Sequence, residues 1–258
     1  MFKAILFDLD GTLLPLDMDS FLVKYMQALA EKVQMETSLF SRELMASTMK
    51  MISNDGSATN MEVFAEDFFP RFTTEQQELE LLIAEFYKED FPKLGARIKP
   101  DPRAKNAVEA AFACGCQVVI ATNPVFPQSA ILERMKWAGV ANFPYSLITS
   151  YEEMHWAKPN PNYYHEIAER IGVNPQEALM IGNDVEEDLV AAELGMKTFL
   201  VDEMLIHRSG GPISCDWRGS LADCAKLLRE QVKREEHSYG CTRGFADQKK
   251  CAEVSAAA

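Results

Sequence analysis

Short apolar runs with almost no polar alternation constrain this chain most: Ala4 to Phe7, Gln117 to Ala121, Ala178 to Ile181 and Lys197 to Val201. Such runs suit strands covered on both faces, as in parallel sheets, rather than half-exposed antiparallel strands. Helical stretches separate them. Asp101-Pro102 offers an N-cap and a first-turn proline ahead of Ala104 to Cys114, and Gly115 supplies the stop. Gln128 to Ala138 is closed by Gly139, Asn162 to Ile171 by Gly172, and Glu186 to Leu194 by Gly195. With a short strand around Leu147 to Thr149, five strands joined by helical crossovers are expected. The fold class is α/β, a doubly wound parallel sheet with helices on both faces.

Residues 15 to 95 break that rhythm. They carry no clear strand and predict helices at Asp19 to Lys32, Thr37 to Ile52, Met61 to Phe69 and Thr74 to Asp90. Ser53-Asn54-Asp55-Gly56 and Pro70 separate them. This all-helical insertion holds 15 acidic and 7 basic side chains, so it does not attract polyanions. Seven of the 13 methionines lie in it (Met18, Met26, Met35, Met45, Met49, Met51 and Met61), as core or as lining of an adaptable apolar pocket.

Chain length and charge narrow the functional classes. At 258 residues and 47% hydrophobic content, the chain can bury one large core and a smaller accessory unit. A net charge of -13 and the lack of a basic stripe argue against nucleic-acid binding. No run approaches the ~20 apolar residues of a bilayer span, and the N-terminus lacks signal-peptide layout, so a cytoplasmic protein is expected. The six cysteines and four histidines show no paired metal-ligand spacing. The reading is of reduced thiols and ordinary surface or core histidines, without a zinc site or disulfide framework.

The first strand delivers Asp8-Leu9-Asp10-Gly11-Thr12 at its carboxyl end, where open parallel sheets bind ligands. Two carboxylates held a few Å apart are costly unless a cation joins them or one keeps a proton. This pentapeptide resembles the first motif of the haloacid dehalogenase-like hydrolase superfamily. Three further elements follow in the family's order. Val118 to Asn123 resembles the second motif, with Thr122 closing a buried strand. Lys158-Pro159-Asn160-Pro161 resembles the third, and Ile181-Gly182-Asn183-Asp184-Val185-Glu186-Glu187-Asp188 the fourth.

The resemblance implies a Rossmann-like catalytic core formed by residues 1–14 and 96–205, with residues 15–95 as a helical cap hinged at Leu13 to Leu16 and Phe91 to Pro100. Residues 206–258 are read as a C-terminal extension, partly docked on the core and mobile toward its end. It also implies a magnesium-dependent phosphatase of the family's capped branch, acting on a small phosphorylated metabolite as a monomer or homodimer. Asp8 would be the nucleophile, forming an aspartyl-phosphate. Asp10 would protonate the leaving oxygen and later activate water, its backbone carbonyl meeting the metal. Thr122, Asn123 and Lys158 would hold the phosphoryl group.

The fourth motif departs from the commonest pattern, because Asn183 stands where many members carry Asp. Asp184 is then expected as the direct metal ligand and Asp188 as the residue orienting its surroundings, with Asn183 as the alternative ligand. Glu186 and Glu187 are read as acids in the first turn of the following helix. Two other readings share the fold. A phosphomutase would return the phosphoryl group to a sugar phosphate, and a catalytically silent protein would bind or regulate. Asp10 disfavours a dehalogenase, which has no phosphoryl leaving group to protonate.

Overall fold

The computed structural model describes residues 2–231. Six parallel strands form one sheet in the order β3-β2-β1-β4-β5-β6: β1 (Ala4–Phe7), β2 (Gln117–Ile120), β3 (Leu147–Ile148), β4 (Ala178–Gly182), β5 (Lys197–Val201) and β6 (Trp217–Gly219). β1 lies between β2 and β4, with Phe7 opposite both Ile120 and Ile181. The strand order reverses there, and a crevice opens beyond the strand ends at such a switch point.

Both faces of β1 are dry. Ile5 and Phe7 join a cluster with Val108, Ile131 and Met135, contributed by helices α6 (Pro102–Ala113) and α7 (Gln128–Trp137). Ala4 and Leu6 join another with Tyr163, Tyr164 and Ile167 of α8 (Pro161–Ile171). This accounts for the missing alternation in the sequence. The expected caps also form: the Asp101 side chain accepts from the Arg103 N–H ahead of α6, and Asn160 accepts from Asn162 ahead of α8.

Five helices fill the chain between β1 and α6: α1 (Met18–Lys32), α2 (Thr37–Ile52), α3 (Asn60–Phe68), α4 (Gln76–Glu89) and α5 (Phe91–Leu94). Their inward faces are aromatic, and they merge with one side of the sheet core. Phe91 stacks on Trp137 at 5.2 Å between ring centroids, and Tyr25 meets Phe126 at 5.4 Å. The N-terminus of α3 is sewn to the sheet domain as well. Asn60 N–H donates to the Met154 carbonyl and Met61 N–H to the Tyr151 carbonyl, both at 2.8 Å.

Three details differ from the sequence reading. The α-helix expected from Glu186 to Leu194 is instead a run of turns followed by a 3-10 helix, Leu189–Leu194. The Asp184 side chain accepts from the N–H groups of Glu186 and Glu187, which bends the backbone around the carboxylate. Glu186 and Glu187 therefore sit in a loop and not in a helical first turn. β6 is a sixth strand, too short and too polar to show in the pattern, and α5 is a single turn. Residues 221–231 are helical, with Leu221, Cys224 and Leu228 buried. The sequence predicts an amphipathic helix over Leu221 to Glu236; its part beyond residue 231, the mobile end expected of the tail, and His237, Cys241 and Cys251 lie outside the described residues. No helix among the described residues is long and apolar enough to cross a membrane.

Candidate active site

Asp8 and Asp10 leave β1 at the switch point, where its ladder ends. Asp8 N–H still donates to the Ile181 carbonyl at 2.9 Å, so the carboxylate begins from a fixed strand end. Lys158 comes in from the loop before α8 and is 1% exposed. Its Nζ donates to Asp8 Oδ1 at 2.9 Å and to Asp188 Oδ1 at 2.6 Å. Burial alone would drive the proton off this lysine, but Asp188 and Asp8 outweigh it and raise its pKa well above the ordinary value. Lys158 is therefore a buried ammonium. Burial pushes Asp188 up, against the pull of Lys158. Asp188 Oδ2 also accepts from the Asp184 N–H at 2.9 Å. It fits only because residue 182 has no side chain: a Cβ there would lie 2.0 Å from Asp188 Oδ2.

Asp10 pairs with Arg134 of α7 through Oδ2, while its Oδ1 is buried without a partner. Arg134 is 1% exposed, its guanidinium lies 4.4 Å from the centre of the Phe126 ring, and its Nη2 is also unpartnered. Burial raises the Asp10 pKa, with Arg134 opposing and Asp8 adding to the rise. A carboxyl of this kind takes up and releases a proton above the usual carboxylate range.

The fourth motif follows β4. Asn183 bridges two segments: its Oδ1 accepts from the Thr12 hydroxyl at 2.9 Å and its Nδ2 donates to the Met204 carbonyl at 2.6 Å. Asp184 pairs with Arg208 at 2.7 Å, and that side chain is 56% exposed. Glu186 accepts from the Ser209 and Arg208 N–H groups, and these bonds, Ser209's first, lower its pKa to about 2.

Asp8 and Asp184 offer only hard oxygen donors, which suits a small divalent cation. Among the described residues, no three His, Cys, Asp or Glu side chains are arranged to hold a metal by themselves. A hard cation held by two carboxylates would complete its shell with water or other oxygen ligands. Arg208, a solvent-reaching cation on Asp184, marks where positive charge is favoured.

Thr122 follows the end of β2 by two residues, buried, and its carbonyl accepts from the hydroxyls of Thr149 and Tyr163. Asn123 is committed to the loops around it: its Oδ1 accepts from the Lys158 N–H at 3.2 Å and its Nδ2 donates to Glu187 at 3.2 Å. Asp8, Asp10, Thr122, Asn123, Asn183, Asp184 and Asp188 all line one cavity of about 720 Å³, which runs from the strand ends up between the inserted helices. Lys158 reaches that floor through Asp8.

Sequence reasoning missed Arg134 and Arg208. Arg134 carried a usable signal: it falls four residues after Ala130 and three after Ile131, on the buried face of α7, and a charge on such a face requires a partner. Arg208 lies in a loop whose path no local pattern predicts.

A family profile described as haloacid dehalogenase-like hydrolase matches residues 2–195. The glyceraldehyde 3-phosphate phosphatase of Methanopyrus kandleri is 28% identical over 203 residues, 77% of this chain and 83% of its own. Among solved structures, a HAD phosphatase from Thermococcus onnurineus superposes with a TM-score of 0.51 at 20% identity, over 88% of this chain and 97% of its own. The L-2-haloacid dehalogenase of Xanthobacter autotrophicus does so with a TM-score of 0.55 at 16% identity, over 89% of this chain and 99% of its own. These structural likenesses concern the fold.

Proposed function

Because this chain belongs to the haloacid dehalogenase-like hydrolases, we propose that it hydrolyses phosphate monoesters of small molecules through an aspartyl-phosphate on Asp8, with Mg²⁺ as its cofactor. The observation that carries this reading is the buried Lys158 ammonium, 2.9 Å from Asp8, beside a second carboxyl, Asp10, whose pKa burial has raised. A nucleophile, a neutralising cation and a proton carrier thus stand together.

In the first half-reaction an Asp8 oxygen attacks phosphorus. The new O–P bond forms as the ester P–O bond breaks, and protonated Asp10 gives its proton to the departing oxygen. In the second, water attacks phosphorus while Asp10 takes up its proton. The Asp8 O–P bond breaks, and carboxylate and inorganic phosphate are restored. Arg134 orients Asp10 through both half-reactions. Lys158 holds Asp8 and offsets phosphoryl charge, and Asp188 keeps Lys158 charged and in place. Thr122 contacts a phosphoryl oxygen, and Asn123 acts by fixing the Lys158 loop. Asp8, the Asp10 carbonyl and Asp184 would hold Mg²⁺. The ion would supply charge neutralisation at the phosphoryl oxygens. Asp184 is favoured over Asn183 as ligand because it brings a negative charge, already balanced by the solvent-reaching Arg208.

The same reading makes residues 15–95 the cap over a core of residues 1–14 and 96–205. It places the enzyme in the cytoplasm, on a small phosphorylated metabolite and away from nucleic acid and membranes, in keeping with a net charge of -13. The test is phosphate release from a panel of phosphate esters with and without Mg²⁺. Release that needs Mg²⁺ and is abolished in Asp8→Asn with an unchanged circular dichroism spectrum is expected. Full activity after exhaustive chelation would remove the metal from the scheme, and normal turnover by Asp8→Asn would remove the covalent step.

A further inference from the structure

We propose, resting on the phosphatase reading, that the organic part of the substrate is hydrocarbon: this enzyme takes an alkyl monophosphate rather than a polyhydroxylated one such as a triose phosphate. The cavity above Asp8 and Asp10 sets this preference by its size and by the chemistry of its wall.

Size comes first. A volume of about 720 Å³ corresponds to roughly two dozen water-sized groups at ~30 Å³ each, far more than a three-carbon ester fills. The inserted helices line it mainly with apolar residues, Leu22, Met26, Leu29, Met45, Phe64 and Ile83 among them, with Asp17 and Asp19 as the charged members of that lining. Methionines adapt to irregular apolar shapes.

Three hydroxyl groups on that wall, those of Tyr25, Tyr87 and Thr48, are engaged with the protein, and the Tyr151 hydroxyl is a further polar group on it. Tyr25 and Tyr87 hydrogen-bond to one another, hydroxyl to hydroxyl, at 2.7 Å, and burial pushes the Tyr25 pKa up to about 12. The Thr48 hydroxyl donates to the Leu44 carbonyl at 2.8 Å. Arg134 is bound to Asp10 and belongs to the floor, beside the ester oxygen. A sugar-like chain rising into this space would give up water for few partners, at roughly tenfold per unmatched hydroxyl. A hydrocarbon chain loses nothing comparable and gains by burial.

Hexyl phosphate and glycerol 3-phosphate form the discriminating pair, since both release an unactivated alkoxide and differ mainly in what enters the pocket. Hexyl phosphate is expected to have at least 100-fold higher kcat/KM. Glycerol 3-phosphate equalling or exceeding it would overturn the proposal while leaving the phosphatase reading intact. Calorimetric titration of the full chain with both esters gives a readout without turnover, and hexyl phosphate should bind at least tenfold tighter. If neither these two esters nor the wider panel were hydrolysed, the phosphatase reading would fail, and this binding ratio would still decide the proposal. Met45 is 39% exposed, so Met45→Glu should fold and place a charge in the wall. It should lower kcat/KM for hexyl phosphate at least tenfold, and by a larger factor than for glycerol 3-phosphate. Ile83→Asn repeats the test from α4. Equal losses on both esters in both variants, or no loss in either, would count against an apolar pocket.

Discussion

Glu186 shows how single carboxylates set the outer edge of the site. Two backbone N–H groups, from Ser209 and Arg208, hold its pKa at about 2 against an ordinary 4.5. A depressed pKa means the ionised form favours the folded state. That contribution is complete above the unfolded value and fades as pH falls from about 4.5 toward 2. Glu186→Gln should therefore lower Tm at pH 7 and lower it less at pH 4 than at pH 7; an equal deficit at both pH values would show that shape, not charge, is what the substitution removes. Deeper in, the choice between Asn183 and Asp184 is a question of charge. Asp184→Asn should raise the Mg²⁺ needed for half-maximal activity far more than Asn183→Ala, with Asp188→Asn about 10- to 100-fold above wild type. Magnesium titrations at fixed ester check this order, and the reverse order would move the ligand to Asn183. Asp8, Asp10, Thr122 and Lys158 were legible because each closes or follows a recognisable strand or proline pattern. Arg134 and Arg208 were not singled out, because what ties them to the site is contact with residues 124 and 24 positions away.

Among the elements, α3 matters most for where the inserted helices sit. Its capping box, Thr59 with Glu62, fixes the helix start, and the two following N–H groups are spent on carbonyls of the sheet domain. Gly56 makes that approach possible. It has φ of +83°, and a Cβ there would fall 2.4 Å from the Trp156 ring. Gly56→Ala should thus cost about 2 kcal/mol or more, combining left-handed strain with a steric clash. Denaturant unfolding measures it, and a cost below about 0.5 kcal/mol would mean the loop yields freely. The sequence placed most elements within a residue or two because caps, prolines and glycines are local signals. It failed at residues 186–188, where Asp184 and Asp188 draw backbone N–H groups out of a helical pattern, and at β6, whose place depends on the β5 edge. Local patterns cannot show a carboxylate competing with helix hydrogen bonds from another turn of the chain.

At the scale of the whole molecule, the hydrophobic core does not stop at the base of the inserted helices. Phe21, Phe86 and Phe91 of the inserted helices belong to the same buried cluster as Ile5 and Phe7 of β1, and Trp137 stands between them, stacked on Phe91 and edge-on to Phe21. A cap joined to the core only by two hinge strands would melt as its own unit, because cooperativity follows buried contact. With a shared core, helicity measured by circular dichroism and tryptophan fluorescence should fall together in one thermal transition. Trp137→Ala removes the shared ring and should cost about 3–5 kcal/mol, as large aromatic truncations in a core do. It should also separate the two signals, because the helices would keep their own aromatic packing, such as Phe40 against Phe68, after losing their anchor to α7. Coincident melting in both proteins, with Trp137→Ala merely shifted to lower temperature, would mean that the α3 tether and the rest of the interface suffice to couple the inserted helices to the sheet without this residue.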